Sequence, residues 1–165
     1  MEHQPALERV TPRLAEDAER SPAEVLAIVS ESFLGAGGTS GALFGLWFGR
    51  LAKGSAEPWA SAELARVVVD ATAAVQRLGG AQVGHKTMVD AMVPATAALD
   101  ESRDLPWRAA VAAAAVAAAE GAASTEQIVA VRGRASYIGE RARGVIDPGA
   151  LAVAWFFAAA DEVAA

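Results

Sequence analysis

The chain lacks cysteine altogether, which excludes a disulfide framework, a thiolate metal site and a cysteine nucleophile. Aromatic residues make up only 6%, and Val, Ile and Thr nowhere form alternating runs, so little in the sequence favours a sheet. Positive charge is also scarce. Fourteen Lys and Arg face twenty Asp and Glu, for a net charge of −6, which gives no electrostatic footprint for nucleic acid. The apolar runs at 109–119 and 149–160 fall well short of the roughly 20 residues a membrane-spanning helix needs. The opening M-E-H-Q-P has no signal-peptide core, so a soluble cytoplasmic protein with no membrane partner is the expectation. Familiar catalytic patterns are missing too: there is no G-x-x-x-x-G-K-[ST] loop, no H-E-x-x-H and no Ser/His/Asp spacing.

What the chain does have is alanine and helical periodicity. Hydrophobic residues reach 53% over 165 residues, enough for one domain with a sizeable core. Ser21-Pro22-Ala23-Glu24 is a helix start, with Ser21 as N-cap, Pro22 in the first position and Glu24 in the third. The pattern predicts a weak helix over 1–20 and a firm one from 22 to about 34. Another starts at Thr39 or Ser40, with Leu43, Phe44, Trp47, Phe48 and Leu51 on one face. Residues 53–58 read as a loop. Further helices are predicted from 59 or 60 to 78 and from 86 to 101, the latter bent or delayed by Pro94. The last four are predicted at 106–121, 125–131, 135–141 and from Pro148 onward. The expected fold class is all-α, an antiparallel helical bundle or barrel with short connections.

Four glycine-bearing segments punctuate these helices: G-A-G-G-T-S-G-A-L-F-G from Gly35, G-H-K-T-M from Gly84, G-R-A-S-Y-I-G-E-R from Gly133 and D-P-G-A from Asp147. A helix start with glycines is a ready anion site, so four in one chain suggest a nucleotide held by helix ends. Each segment also has an ordinary structural reading. Residues 37–41 fit a helix cap as well as phosphate binding. His85 fits a cap or a surface group, and a histidine metal site finds no second ligand, since the other histidine is His3. Met88 fits a core position or a pad for an adenine face. Arg132, Arg134, Arg141 and Arg143 fit a solvated basic loop or a phosphate clamp. Asp147 with Pro148 fits helix capping, and Asp100, Glu101 and Asp104 fit a solvated helix end.

Taken together and in this order, the four segments resemble the L subunit of dihydroxyacetone kinase, over roughly residue 25 to the C terminus. The resemblance implies a single all-α domain spanning 1–165, with ADP or ATP bound by loops at one end of the bundle. It implies phosphate contacts from Thr39 and Ser40, and an adenine bordered by Gly79 and Met88. Arg134 would reach the nucleotide, and Asp147, Pro148 and Gly149 would line its pocket. The partner would be a K subunit holding dihydroxyacetone. The phosphate donor would be ATP, or ADP recharged by a phosphotransfer-system protein.

The chain departs from that family in two places. The family has an acidic G-D-x-D-H-G loop and an upstream Asp that hold two magnesium ions. Between Met1 and Ser30 the sequence offers only Asp17, so the family's N-terminal helix and metal loop look cut away. His85 stands where the family usually has Asp. The expectation is a kinase subunit whose 165-residue form transfers no phosphate, and the alternative is a catalytically silent relative that binds nucleotide or a partner.

Overall fold

The computed structural model describes residues 20–54 and 60–164. The helix expected over 1–20 falls almost wholly outside them, as does most of the 53–58 loop. Six α-helices follow one another: α1 (Pro22–Ala36), α2 (Gly38–Gly54), α3 (Ser61–Gly79), α4 (Val89–Glu101), α5 (Trp107–Ser124) and α6 (Pro148–Ala164). Each packs against its sequence neighbour, and α6 also packs on α4. This is the all-α bundle the periodicity predicts, and the described residues contain no strand.

The start of α1 follows from four residues. The Ser21 hydroxyl accepts the Glu24 N–H, the Glu24 carboxylate accepts the Ser21 N–H, and Pro22 occupies the first turn, where an amide proton would have no partner. The α1–α2 hairpin is then drawn tight by glycine. Gly41, Gly45 and Gly49 recur every fourth residue, so they share the face of α2 that meets α1. A Cβ on Gly41 would lie 2.7 Å from the Phe33 carbonyl oxygen, and one on Gly49 would lie 2.9 Å from Ser30 Oγ. Ser30 Oγ instead donates across the seam to the Gly45 carbonyl at 2.7 Å. The segment read in sequence for its phosphate chemistry thus also contains the first two glycines of this packing stripe.

The adjoining face of α2 forms the core. Trp47, Phe44 and Leu51 are almost fully buried, along with Val68, Ala71 and Val75 of α3 and Met92 and Leu99 of α4. Edge-to-face contacts of Trp47 and Phe48 with Phe156 (5.1 and 5.4 Å between centroids) link α2 to α6 and close the bundle. A chain of hydroxyls runs outward from this interior to half-buried Thr96. Trp47 Nε1–H donates to Thr72 Oγ1, which lies 2.9 Å from Thr96 Oγ1, and Thr96 donates to the Met92 carbonyl. Because the Thr96 proton is taken, Thr72 must be the donor in the middle link.

Four elements differ from the sequence expectation. α4 begins at Val89 rather than near Lys86, because Lys86 has φ +59°, a left-handed conformation no helix accommodates. α5 runs on to Ser124, past Gly121, because that glycine packs rather than terminates. The helix expected at 125–131 is only a 3₁₀ turn, Thr125–Gln127, after which Ile128 turns extended. The short helix near 135–141 is 3₁₀ (Arg134–Ala142), interrupted by Gly139 at φ +54°.

Pro94 sits inside α4 without ending it. It has no N–H to offer the Asp90 carbonyl one turn earlier. Gly121 of α5 lies against that same carbonyl, so closely that a Cβ there would overlap the oxygen.

Candidate nucleotide site at one end of the bundle

Antiparallel helices bring the start of α2, the end of α3, the start of α4, the end of α5 and the start of α6 to one end. Side chains and backbone bonds confirm the meeting. Leu43, one turn after Thr39 on α2, flanks Gly79 at the end of α3. Gly80 caps α3 in a left-handed conformation, and the Arg132 guanidinium lies beside it. That places positive charge at a helix C terminus, where the dipole favours it. The Val131 N–H donates to the His85 carbonyl, and Met88 Cβ lies 3.3 Å from where a Cβ of Gly149 would be.

Asp90 organises the 84–88 turn. It is 1% exposed, and its two carboxylate oxygens accept the Gly84 N–H at 2.6 Å and the Thr87 N–H at 2.7 Å. Charge-assisted bonds of this kind let a buried carboxylate persist. His85 is half-buried, and its Nδ1 accepts the Gln82 N–H, so the imidazole pins the preceding turn. Lys86 is 3% exposed and donates from Nζ to the carbonyls of Thr125 and Val145.

Thr125 joins the end of α5 to the start of α6. Fully buried, it donates from Oγ1 to the Ala122 carbonyl and accepts the Asp147 N–H at 2.8 Å. Asp147 caps α6 through Oδ2, which accepts the Ala150 N–H at 2.8 Å. Burial pushes the Asp147 carboxyl above its ordinary value near 3.8. The backbone N–H groups of Ala150 and Gly149 oppose that shift, Asp90 adds to it and Lys86 counters it. Gly149 is buried with its Cα close to Asp147 and Met88, and a Cβ there would lie 3.0 Å from Asp147 Oδ2.

Of the residues singled out in sequence, Met88, Asp147 and Gly149 lie against one another here with Pro148 next in the chain, while Gly79 sits at the same end against Leu43. Met88 is 5% exposed and belongs to the core as much as to the site. Thr39 and Ser40 occupy the first turn of α2, Thr39 exposed and Ser40 half-buried, next to the open space around Gly37. Helix N–H groups at such a start have no partner within the helix. Arg134 begins the second 3₁₀ segment, and its side chain lies outside what the structure describes. Arg143 is engaged with Glu140 at 3.3 Å, and Asp100 pairs with Arg103 on the surface. Lys86, Asp90 and Thr125 were not singled out. Lys86 stood only within the 84–88 segment and as the expected helix start, and the left-handed turn there accompanies its burial.

The described residues contain no group of three His, Asp or Glu placed to hold a metal ion. Of the carboxylates at this end, buried Asp90 and half-buried Asp147 already accept backbone N–H groups, and Glu140 pairs with Arg143. Magnesium, which wants several free oxygen ligands, does not fit this donor set.

The DAK2 domain profile matches residues 3–162. The chain belongs to the DAK2-domain family. Relatives of this DAK2-domain chain include the L-erythrulose 1-kinase of Mycolicibacterium smegmatis, 43% identical over 129 residues, 77% of this chain and 23% of that protein. Another is the ADP-binding subunit DhaL of the PEP-dependent dihydroxyacetone kinase of Escherichia coli, 40% identical over 121 residues, 71% of this chain and 58% of that one. Part of the dihydroxyacetone kinase of C. freundii has a similar fold in its crystal structure, with a TM-score of 0.63, 25% identity, and coverage of 96% of this chain and 28% of that one. The chain therefore spans about a quarter of the erythrulose kinase and a little over half of the DhaL subunit. No helix among the described residues is long and apolar enough to cross a membrane.

Proposed function

We propose that this chain is the nucleotide-binding part of a ketose kinase of the dihydroxyacetone kinase type. The observation behind this reading is the convergence of all four glycine segments at one end of the bundle, in a chain whose relative is named as an ADP-binding subunit. In this reading ADP or ATP lies across that end. Thr39 and Ser40 at the start of α2 contact its phosphates, Gly79 and Met88 border the adenine, Arg134 reaches the nucleotide, and Asp147, Pro148 and Gly149 line the pocket. The acceptor is a short ketose, dihydroxyacetone or a four-carbon analogue such as erythrulose, held by a separate K-type subunit or domain. Donor phosphate comes from ATP, or from a phosphotransfer-system protein recharging bound ADP.

The described carboxylates do not make a magnesium site, and phosphoryl transfer of this class depends on metal to neutralise phosphate charge. The 165-residue chain mixed with a K subunit, ketose and ATP is therefore expected to bind nucleotide and yield no phosphorylated ketose. Calorimetric titration with ADP and with ATP tests the binding, and transfer of labelled phosphate tests the chemistry. Binding without transfer supports both parts. No binding to either nucleotide overturns the reading, and robust transfer overturns the claim that this chain is catalytically silent by itself.

A further inference from the structure

The segment between the first 3₁₀ turn and α6 bulges from the bundle as one loop, and its neck is closed by bonds from three directions. The Gly144 N–H donates to the Glu126 carbonyl at 2.8 Å, and the Asp147 N–H donates to Thr125 Oγ1 at the same distance. The third closure comes from outside the loop. Lys86 Nζ donates to Thr125 on one side of the neck and Val145 on the other, at 2.5 Å each. Lys86 is almost wholly buried, and among the described residues it is the only non-glycine with a positive φ. Glycine would hold that backbone with less strain. A lysine there adds both strain and a buried charge, and the two neck carbonyls are what its ammonium satisfies.

Lys86 in turn is held from both sides. Asp90 fixes the N–H groups of Gly84 and Thr87 that flank it, and the His85 carbonyl receives the Val131 N–H from the loop. What the neck positions is the loop that begins its second 3₁₀ segment at Arg134 and, at its exit, the turn of Asp147, Pro148 and Gly149. We propose that Lys86 is a positioning residue for the nucleotide site: it staples the neck of the 125–147 loop and so fixes both the arginine-bearing segment and the Asp147 turn in the arrangement that binds. This rests on the nucleotide reading for its consequence, but the staple itself is a property of the chain alone.

Two variants and one unmodified-protein measurement test it. Lys86→Met keeps an unbranched side chain one atom shorter and removes the donors. Lys86→Gly also removes them and relieves the backbone strain. With the staple, both variants raise the Kd for ADP at least about tenfold. Amide exchange then speeds up at residues 144–150 in both, while α2 and α3 stay protected. If residue 86 matters only through its backbone, Lys86→Gly binds ADP as well as the parent and keeps those amides protected, which overturns the proposal.

The unmodified chain covers the case in which neither variant folds. It has two lysines, Lys53 and Lys86, so amine acylation followed by mass spectrometry reads Lys86 directly. Slow acylation of Lys86 beside fast acylation of exposed Lys53, followed by exposure of amides 144–150 once Lys86 is acylated, supports the staple. Equal acylation rates, or unchanged exchange after acylation, overturn it. Failure of the unmodified chain to bind ADP would count against the nucleotide reading, and the exchange data would still decide the staple.

Discussion

Gly121→Ala is predicted to destabilise the protein, although alanine is the better helix former. The substitution removes a helix-interior glycine and by propensity alone would gain about 0.8–1 kcal/mol. Against this stands the α4–α5 contact. An added Cβ would overlap the Asp90 carbonyl oxygen and lie 3.0 Å from Ala91 Cα and 3.1 Å from the Asp90 carbonyl carbon. All three are backbone atoms of one helical turn, so no rotamer change relieves the clash. Overpacking of this kind costs about 1–3 kcal/mol, and rigid neighbours place it at the upper end. The net loss is about 2 kcal/mol, which in a domain of this size lowers Tm by about 4–8 °C. The damage also reaches the site, since Asp90 is pushed away from the N–H groups of Gly84 and Thr87. Gly79→Ala is the control. Its Cβ would meet the Leu43 methyls at 3.5 Å, an ordinary contact, so Tm is expected to hold or rise slightly. Thermal melts of the three proteins decide the matter. A Gly121→Ala variant as stable as the parent would refute the close approach of α4 and α5.

Other perturbations follow from the same contacts. With its folded pKa raised, Asp147 binds more protons in the folded than in the unfolded state, so its contribution to stability is lost as pH rises from about 3.8 through the higher folded value. Asp147→Asn, which keeps an oxygen for the Ala150 N–H, should therefore raise Tm at pH 7 and lose that advantage at pH 3.5. An equal Tm difference at both pH values would show that burial does not perturb this carboxyl. Thr72→Val preserves shape but leaves the Trp47 Nε1–H without its acceptor, at a cost of about 1–3 kcal/mol in a denaturant titration. No change would mean the hydroxyl chain contributes nothing. Arg50→Ala breaks a 3.0 Å surface ion pair with Asp70, both partners about half-exposed, and is expected to shift stability by less than about 1 kcal/mol.

The helices were legible because their signals are local. Ser21, Pro22 and Glu24 announce the start of α1, and the three-and-four spacing of Phe44, Trp47, Phe48 and Leu51 names the buried face of α2. Glycine was harder to read, because one residue type serves three purposes in this chain. Gly80 ends a helix through positive φ, Gly37 opens a helix start, and Gly41, Gly45 and Gly121 let helices touch. Spacing alone does not separate these uses, so Gly121 read as a terminus and residues 125–131 as a helix. The site followed the same division. Its glycines and the Asp147 turn were visible as motifs. The roles of Lys86, Asp90 and Thr125 were not, because they depend on a left-handed turn and on partners up to 59 residues away.

The most direct test of the central claim is amide hydrogen exchange of the 165-residue chain with and without saturating ADP. The account predicts added protection at 37–43, 79–90 and 131–150, the segments that meet at one end, and none at 98–107 on the far side of the bundle. Protection confined to the far side, or no change anywhere at saturating ADP, would contradict it.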